Sequence, residues 1–244
     1  MKSDSPAERL MVALDVPTRE AALRAVESLK GAVRWFKVGK QLFTSLGPGI
    51  VKDIKNASGA KIFLDLKFHD IPATVALAGK AAAELGVEMF NVHALGGSRM
   101  MGATVREVKA HCEQKGLPVP MMIAVTILTS MSDSDLKEIG IEATAAKMVE
   151  RLAALAKQSG MDGVVASPEE ARMIKTSLGA GFKVITPGVR PAWAGADDQT
   201  RIKTPFEAIK DGSDYLVVGR PILKAQEPAE GALRVIEEIS EAMD

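Results

Sequence analysis

Cysteine is almost missing from this 244-residue chain, with Cys112 alone, so neither a disulfide framework nor a cysteine-rich zinc site can be built. That usage fits a reducing compartment, and a cytoplasmic protein is expected. Histidine is equally scarce: His69, His93 and His111 lie far apart in sequence without metal-ligand spacing, so no metal is expected. Aromatic residues make up 4%, too few for a ligand held mainly on stacking platforms. There is no charge surplus of either sign. Lys plus Arg number 31 and Asp plus Glu number 31, which argues against nucleic acid or a membrane surface as partner but leaves room for a local basic pocket. No apolar run reaches spanning length, and the opening MKSDSPAERL lacks a signal-peptide core. Neither GxGxxG nor GxxxxGK[ST] occurs, so dinucleotide and P-loop sites lack their usual signature.

What the chain does have is alternation. At 47% apolar and 25% charged residues it has the composition of a folded protein. Short apolar or β-branched runs begin at Leu10, Val33, Lys61, Met89, Pro120, Gly163, Lys183 and Tyr215. Helical patterns lie between most of them: 19–30, 72–85, 98–114, 142–159, the stretch after Pro168, and 228–242. The third run covers 61–66. Eight strand–helix units in 244 residues predict an α/β fold, a single (β/α)8 TIM barrel occupying 1–244 as one domain. An open doubly wound sheet is the structural alternative. The one long connection, 187–203, has the length of a functional loop.

In such a barrel the reactive groups stand at the C-terminal ends of strands. Those positions hold Asp15, Lys37, Asp65, Lys67, Asp70, Thr129, Arg190 and Arg220. Asp65 and Lys67 are two apart and should share a strand face. A lysine between carboxylates is kept charged, which suits a proton donor better than a nucleophile. A structural ion pair at the barrel rim would use the same residues, and Lys37 could equally be a snorkelling surface lysine. Gly219-Arg220-Pro221 after the eighth run offers backbone N–H groups and a guanidinium to a phosphate. His69 and His93 read as structural histidines, and the twelve methionines as core filler.

Together these pieces resemble the orotidine 5′-monophosphate (OMP) decarboxylases. The most specific is DLKFHDIPATV at 65–75, supported by FKVG at 36–39, TILTS at 126–130, PGVRP at 187–191 and DQTR at 198–201. The resemblance implies conversion of OMP to UMP and carbon dioxide, in UMP synthesis, with no cofactor. It implies that Lys67 is the proton donor, with Asp65 and Asp70 beside it. Asp15, Lys37 and Thr74 would serve the ribose, and Thr129 the pyrimidine edge. Arg190, Gln199, Gly219 and Arg220 would hold the phosphate beneath a closing loop. It further implies a homodimer with shared sites, Asp70, Ile71 and Thr74 reaching into the neighbour. Ala73 departs from the asparagine of many relatives. Two other readings stand beside it. A divalent-metal-dependent sugar-phosphate decarboxylase or aldolase would explain 65–70 but not 126–130 or 198–201. A noncatalytic phosphate-binding barrel would not need an ammonium between carboxylates.

Overall fold

The computed structural model describes residues 5–194 and 203–244. Its eight strands are β1 (Leu10–Ala13), β2 (Trp35–Gly39), β3 (Lys61–Phe68), β4 (Met89–His93), β5 (Met121–Val125), β6 (Gly163–Val165), β7 (Lys183–Pro187) and β8 (Tyr215–Val218). They pair in parallel in chain order, and β8 returns to β1, closing the barrel. Closure excludes the open-sheet alternative and leaves no sheet edge.

Strand periodicity sorts the two layers of the core. The residues packed inside the barrel are Met11, Ala13, Trp35, Phe63, Met89, Ile123, Val125, Val165, Ile185 and Val217, every one at an odd number. Even-numbered neighbours such as Leu10, Val12, Phe36, Leu64, Phe90 and Val184 pack outward against the helices. Because successive side chains alternate and the registers keep parity around the ring, an odd-numbered polar residue near a strand's end is aimed into the barrel mouth. Gly163 is needed where β6 and β7 close up, since a Cβ there would lie 2.3 Å from the Lys183 carbonyl oxygen.

The outer layer consists of α1 (Arg19–Ser28), α2 (Lys40–Leu46), α3 (Gly49–Ser58), α4 (Pro72–Glu84), α5 (Gly97–Lys115), α6 (Asp133–Glu138), α7 (Ala145–Gln158), α8 (Pro168–Leu178), α9 (Pro205–Lys210), α10 (Arg220–Leu223) and α11 (Pro228–Met243). Thr18 and Thr144 cap α1 and α7, accepting from the N–H of Ala21 and Lys147. Proline opens α4, α8, α9 and α11, where its missing N–H costs no helix bond. The connection between β2 and β3, for which the sequence pattern predicted no helix, holds α2 and α3, broken at Gly47-Pro48. The third strand runs to Phe68, two residues past its expected end. Among the described residues no helix is long and apolar enough to cross a membrane.

Candidate active site

The C-terminal mouth of the barrel opens on a cavity of about 380 Å³. Its floor is apolar, made by the inward residues Ala13, Phe63, Val125, Val165, Ile185 and Val217. One side, from β1 to β3, carries Asp15, Lys37, Asp65 and Lys67. The other carries Thr129 and Ser130 after β5, Gly188 and Arg190 after β7, and Gly219 and Arg220 after β8. A dry floor between two charged arcs can hold a planar apolar ring with a polar group at either end.

The acidic–basic arc is a chain of alternating sign. Asp15 Oδ1 accepts from Lys37 Nζ at 2.9 Å, and the same ammonium lies 3.4 Å from Asp65 Oδ2. Asp65 Oδ1 accepts from Lys67 Nζ at 2.6 Å. Side-chain exposure falls from 57% at Asp15 to 13% at Asp65, so the central carboxylate is the one deprived of water. Burial alone would raise its pKa. The charges of Lys37 and Lys67, with hydrogen bonds from Lys67 and Asn91, outweigh burial and hold the carboxyl below its ordinary range. Gly39 leaves the room this needs: a Cβ there would stand 2.8 Å from Lys37 Nζ and 3.2 Å from Asp15 Oδ1.

Lys67 does not reach this place by plain alternation. It has φ 55°, the one positive value outside glycine among the described residues. Around it β3 advances from Leu64 to Phe68 while β4 advances only from Phe90 to Val92. Asp65 and Lys67 do meet, as their spacing predicted, but across a local irregularity in the strand.

The sequence profile described as the Orotidine 5'-phosphate decarboxylase / HUMPS family matches residues 8–235. The chain belongs to that family. It is 56% identical over 238 residues to the orotidine 5'-phosphate decarboxylase of Saccharophagus degradans, covering 98% of this chain and 96% of that protein. Among solved structures, orotidine 5'-phosphate decarboxylase from Lactobacillus acidophilus is 40% identical with a TM-score of 0.82, over 94% of this chain and 98% of that one. The orotidine 5'-monophosphate decarboxylase of Methanocaldococcus jannaschii, complexed with inhibitor BMP, is 30% identical with a TM-score of 0.73, over 95% and 98% of the two chains.

Of the site residues expected from resemblance to the family, Asp15, Lys37, Asp65, Lys67, Thr129, Arg190, Gly219 and Arg220 line this cavity together. Asp70, Ile71 and Thr74 do not line it. They stand exposed around the start of α4, Ile71 at 65%, with Asp70 Oδ1 accepting from the Ile71 N–H at 2.6 Å. Gln199 falls outside the described residues, as do Asp198, Thr200 and Arg201.

Reading from sequence passed over three things. Asn91 hydrogen-bonds both Asp65 and the backbone of Lys67. Its signal was available, an amide between Phe90 and Val92 at an odd-numbered strand position. Gly39 was quoted only as part of a motif. His69 and His93, distant in sequence, are neighbours in space with ring centroids 5.5 Å apart. Burial, His69 and the ammonium groups of Lys40 and Lys67 push the His93 pKa down to about 4 against the opposing pull of Asp65. The ring is therefore neutral at pH 7, and its buried Nδ1 has no hydrogen-bond partner among the described residues, unlike the hydrogen-bonded structural histidine expected from sequence.

Proposed function

We infer that this chain decarboxylates orotidine 5′-monophosphate to UMP and carbon dioxide, a step of pyrimidine synthesis. The observation that carries the reading is the alternation Asp15–Lys37–Asp65–Lys67 along one wall of a cavity whose opposite wall holds Arg190 and Arg220.

The chemistry requires such a wall. When the bond from C6 to the carboxylate breaks, its electron pair stays on C6 in the plane of the ring, where the ring's π system cannot take it up. Stabilisation must come from a fixed positive charge near C6. On this reading the Lys67 ammonium supplies that charge and then gives its proton to C6, and solvent returns a proton to the amine. Asp65, itself kept ionised by Lys37 and Lys67, orients the ammonium before substrate arrives. Lys37 and Asp15 take the ribose hydroxyls, and Thr129 lies at the pyrimidine edge. The phosphate goes to Arg190, Gln199, Gly219 and Arg220. Binding a group remote from C6 allows affinity to be converted into closure and orientation.

The reading also makes the enzyme a cytoplasmic homodimer. Asp70, Ile71 and Thr74 stand outside their own cavity and would complete the partner's, with Asp70 as a second carboxylate for the ammonium. The exposed Ile71 and Leu77, each at 65%, support an apolar contact at that face.

No cofactor takes part in the scheme. The carboxylates here are interleaved with ammonium groups, and among the described residues no group of three or more His, Cys, Asp or Glu side chains could hold a metal ion. An ultraviolet assay of OMP loss, with and without a chelator, tests both statements. OMP should be consumed at the same rate in either condition. Activity that vanished with chelator and returned with magnesium would favour the metal-dependent sugar-phosphate chemistry instead.

A further inference from the structure

Asn91 is fully buried in β4, and its two amide ends have different partners. Its Oδ1 accepts from the backbone N–H of Lys67 at 2.7 Å, and its Nδ2 donates to Asp65 Oδ1 at 2.7 Å. The orientation of the amide is fixed by chemistry, since a backbone N–H can only donate and an ionised carboxylate can only accept. Asp65 Oδ1 also receives the Lys67 ammonium at 2.6 Å. The contacts therefore close a ring from the Lys67 backbone, through Asn91 and Asp65, back to the Lys67 side chain.

That ring stands where the strand is least regular. Lys67 has a left-handed φ of 55°, which a side-chain-bearing residue keeps only where its surroundings impose it. The slip between β3 and β4 interrupts the regular ladder there, and the Asn91 amide oxygen takes up the Lys67 N–H. We propose that Asn91 is the positioning residue of this site, holding the Lys67 backbone in its left-handed turn and the Asp65 carboxylate in line, so that the ammonium is aimed at the reacting carbon. Apolar residues surround it on β4, Phe90 and Val92 both being fully buried. An aliphatic side chain would satisfy the packing alone; the amide answers to two polar partners at the mouth.

The proposal rests on the decarboxylase reading, and the experiment separates the two. Asn91→Leu removes both hydrogen bonds while keeping the branching at Cγ and the number of side-chain heavy atoms. Its kcat for OMP, per site counted by UMP binding, should fall about 10²-fold, the scale of a 1 Å misplacement. KM should stay within about threefold, because Arg190 and Arg220 lie across the cavity. A crystal structure of the variant should show Lys67 out of the left-handed region or its ammonium moved from Asp65. Asn91→Asp keeps the shape and the acceptor but sets a carboxylate against Asp65. Protonating the introduced carboxyl restores the donor, and its burial and the adjoining Asp65 carboxylate raise its pKa against the opposing ammonium groups of Lys37 and Lys67. Its kcat relative to the parent protein should therefore climb as pH falls toward 5. This second variant decides the matter if Asn91→Leu does not fold. Unchanged kcat in Asn91→Leu, a loss confined to KM, or a pH-independent ratio in Asn91→Asp would overturn the role. If the parent protein leaves OMP untouched, the decarboxylase reading falls by itself, and the conformation of Lys67 in the Asn91→Leu crystal still decides whether Asn91 positions it.

Discussion

Both ends of this barrel carry carboxylates paired with lysines, yet the two ends use them differently. At the N-terminal end, Glu88, Asp162 and Asp214 each immediately precede an even-numbered strand. Each donates its own N–H to the carbonyl of the second residue of the preceding strand, Ile62, Met122 or Val184. The side chain of each then accepts the N–H of that same residue, at 2.7, 2.8 and 2.8 Å. Lysines join them, Lys55 of α3 to Glu88, and Lys175 of α8 with Lys183 of β7 to Asp214. These carboxylates lock strand starts together, and the same clamp recurs at every second strand from β4 to β8. At the C-terminal end, the Asp65 side chain has no backbone partner among the described residues; it accepts from the Lys67 ammonium and the Asn91 amide, with the Lys37 ammonium beside it and the cavity in front. An ion pair says little about role. The backbone bond at one end and the open cavity at the other separate a clamp from a site.

The comparison breaks first, and most completely, at the mouth. On the proposed shared-site reading, Lys67→Ala and Asp70→Ala should each be folded and inactive, because each would remove one member of the reacting array. If sites are shared across a dimer, unfolding and refolding the two variants together makes half the dimers mixed. Each mixed dimer has one intact site and one doubly defective site, so about a quarter of all sites should recover activity in a twofold assembly. Variants refolded separately give the baseline. Mixed dimers that form and stay inactive would show that each site is built within one chain.

At the other end, loss should appear in stability and not in turnover. Asp214→Ala removes the pairs with Lys175 and Lys183 and the acceptor for the Val184 N–H. The cost should be about 1.5–3 kcal/mol, the range for hydrogen bonds to a charged group. Urea unfolding measures it, while kcat per folded site should match that of the parent. A fall in kcat without a fall in stability would erase the distinction between the two ends.

Much of the barrel is legible in sequence because strand period and helix period differ, and eight apolar runs separated by helical stretches admit few arrangements. The charged arc is legible for the same reason: Asp15, Lys37, Asp65 and Lys67 interrupt apolar runs at the ends of strands, where ionised groups need partners. What escaped depends on pairing between strands. Nothing local announces that Asn91 meets Lys67 across a slipped register, or that His69 and His93 come together. The three clamps were hidden likewise, since a single acidic residue before a strand is unremarkable until its partner one strand earlier is known. Helices α2 and α3 escaped because Gly47-Pro48-Gly49 breaks their pattern in the middle and reads as a loop.

At neutral pH the smallest expected effect is that of His93, which appears only as the solution is acidified, and it belongs to the mouth. His93 is held to a pKa of about 4 by burial, His69, Lys40 and Lys67, with Asp65 opposing, whereas an unfolded histidine titrates near 6.5. Between those values the unfolded chain binds a proton that the folded protein refuses, so folding weakens as pH falls through that window. The slope is at most about 1.4 kcal/mol per pH unit for one proton. Asp65, held below its ordinary range, adds a separate loss at lower pH, below its unfolded value and down through its folded one. His93→Gln should therefore flatten the stability curve from pH 6.5 to 4 and leave the lower leg, measured by urea unfolding at closely spaced pH values. An unchanged curve would mean that the His93 ring takes up its proton within the folded mouth as readily as outside it.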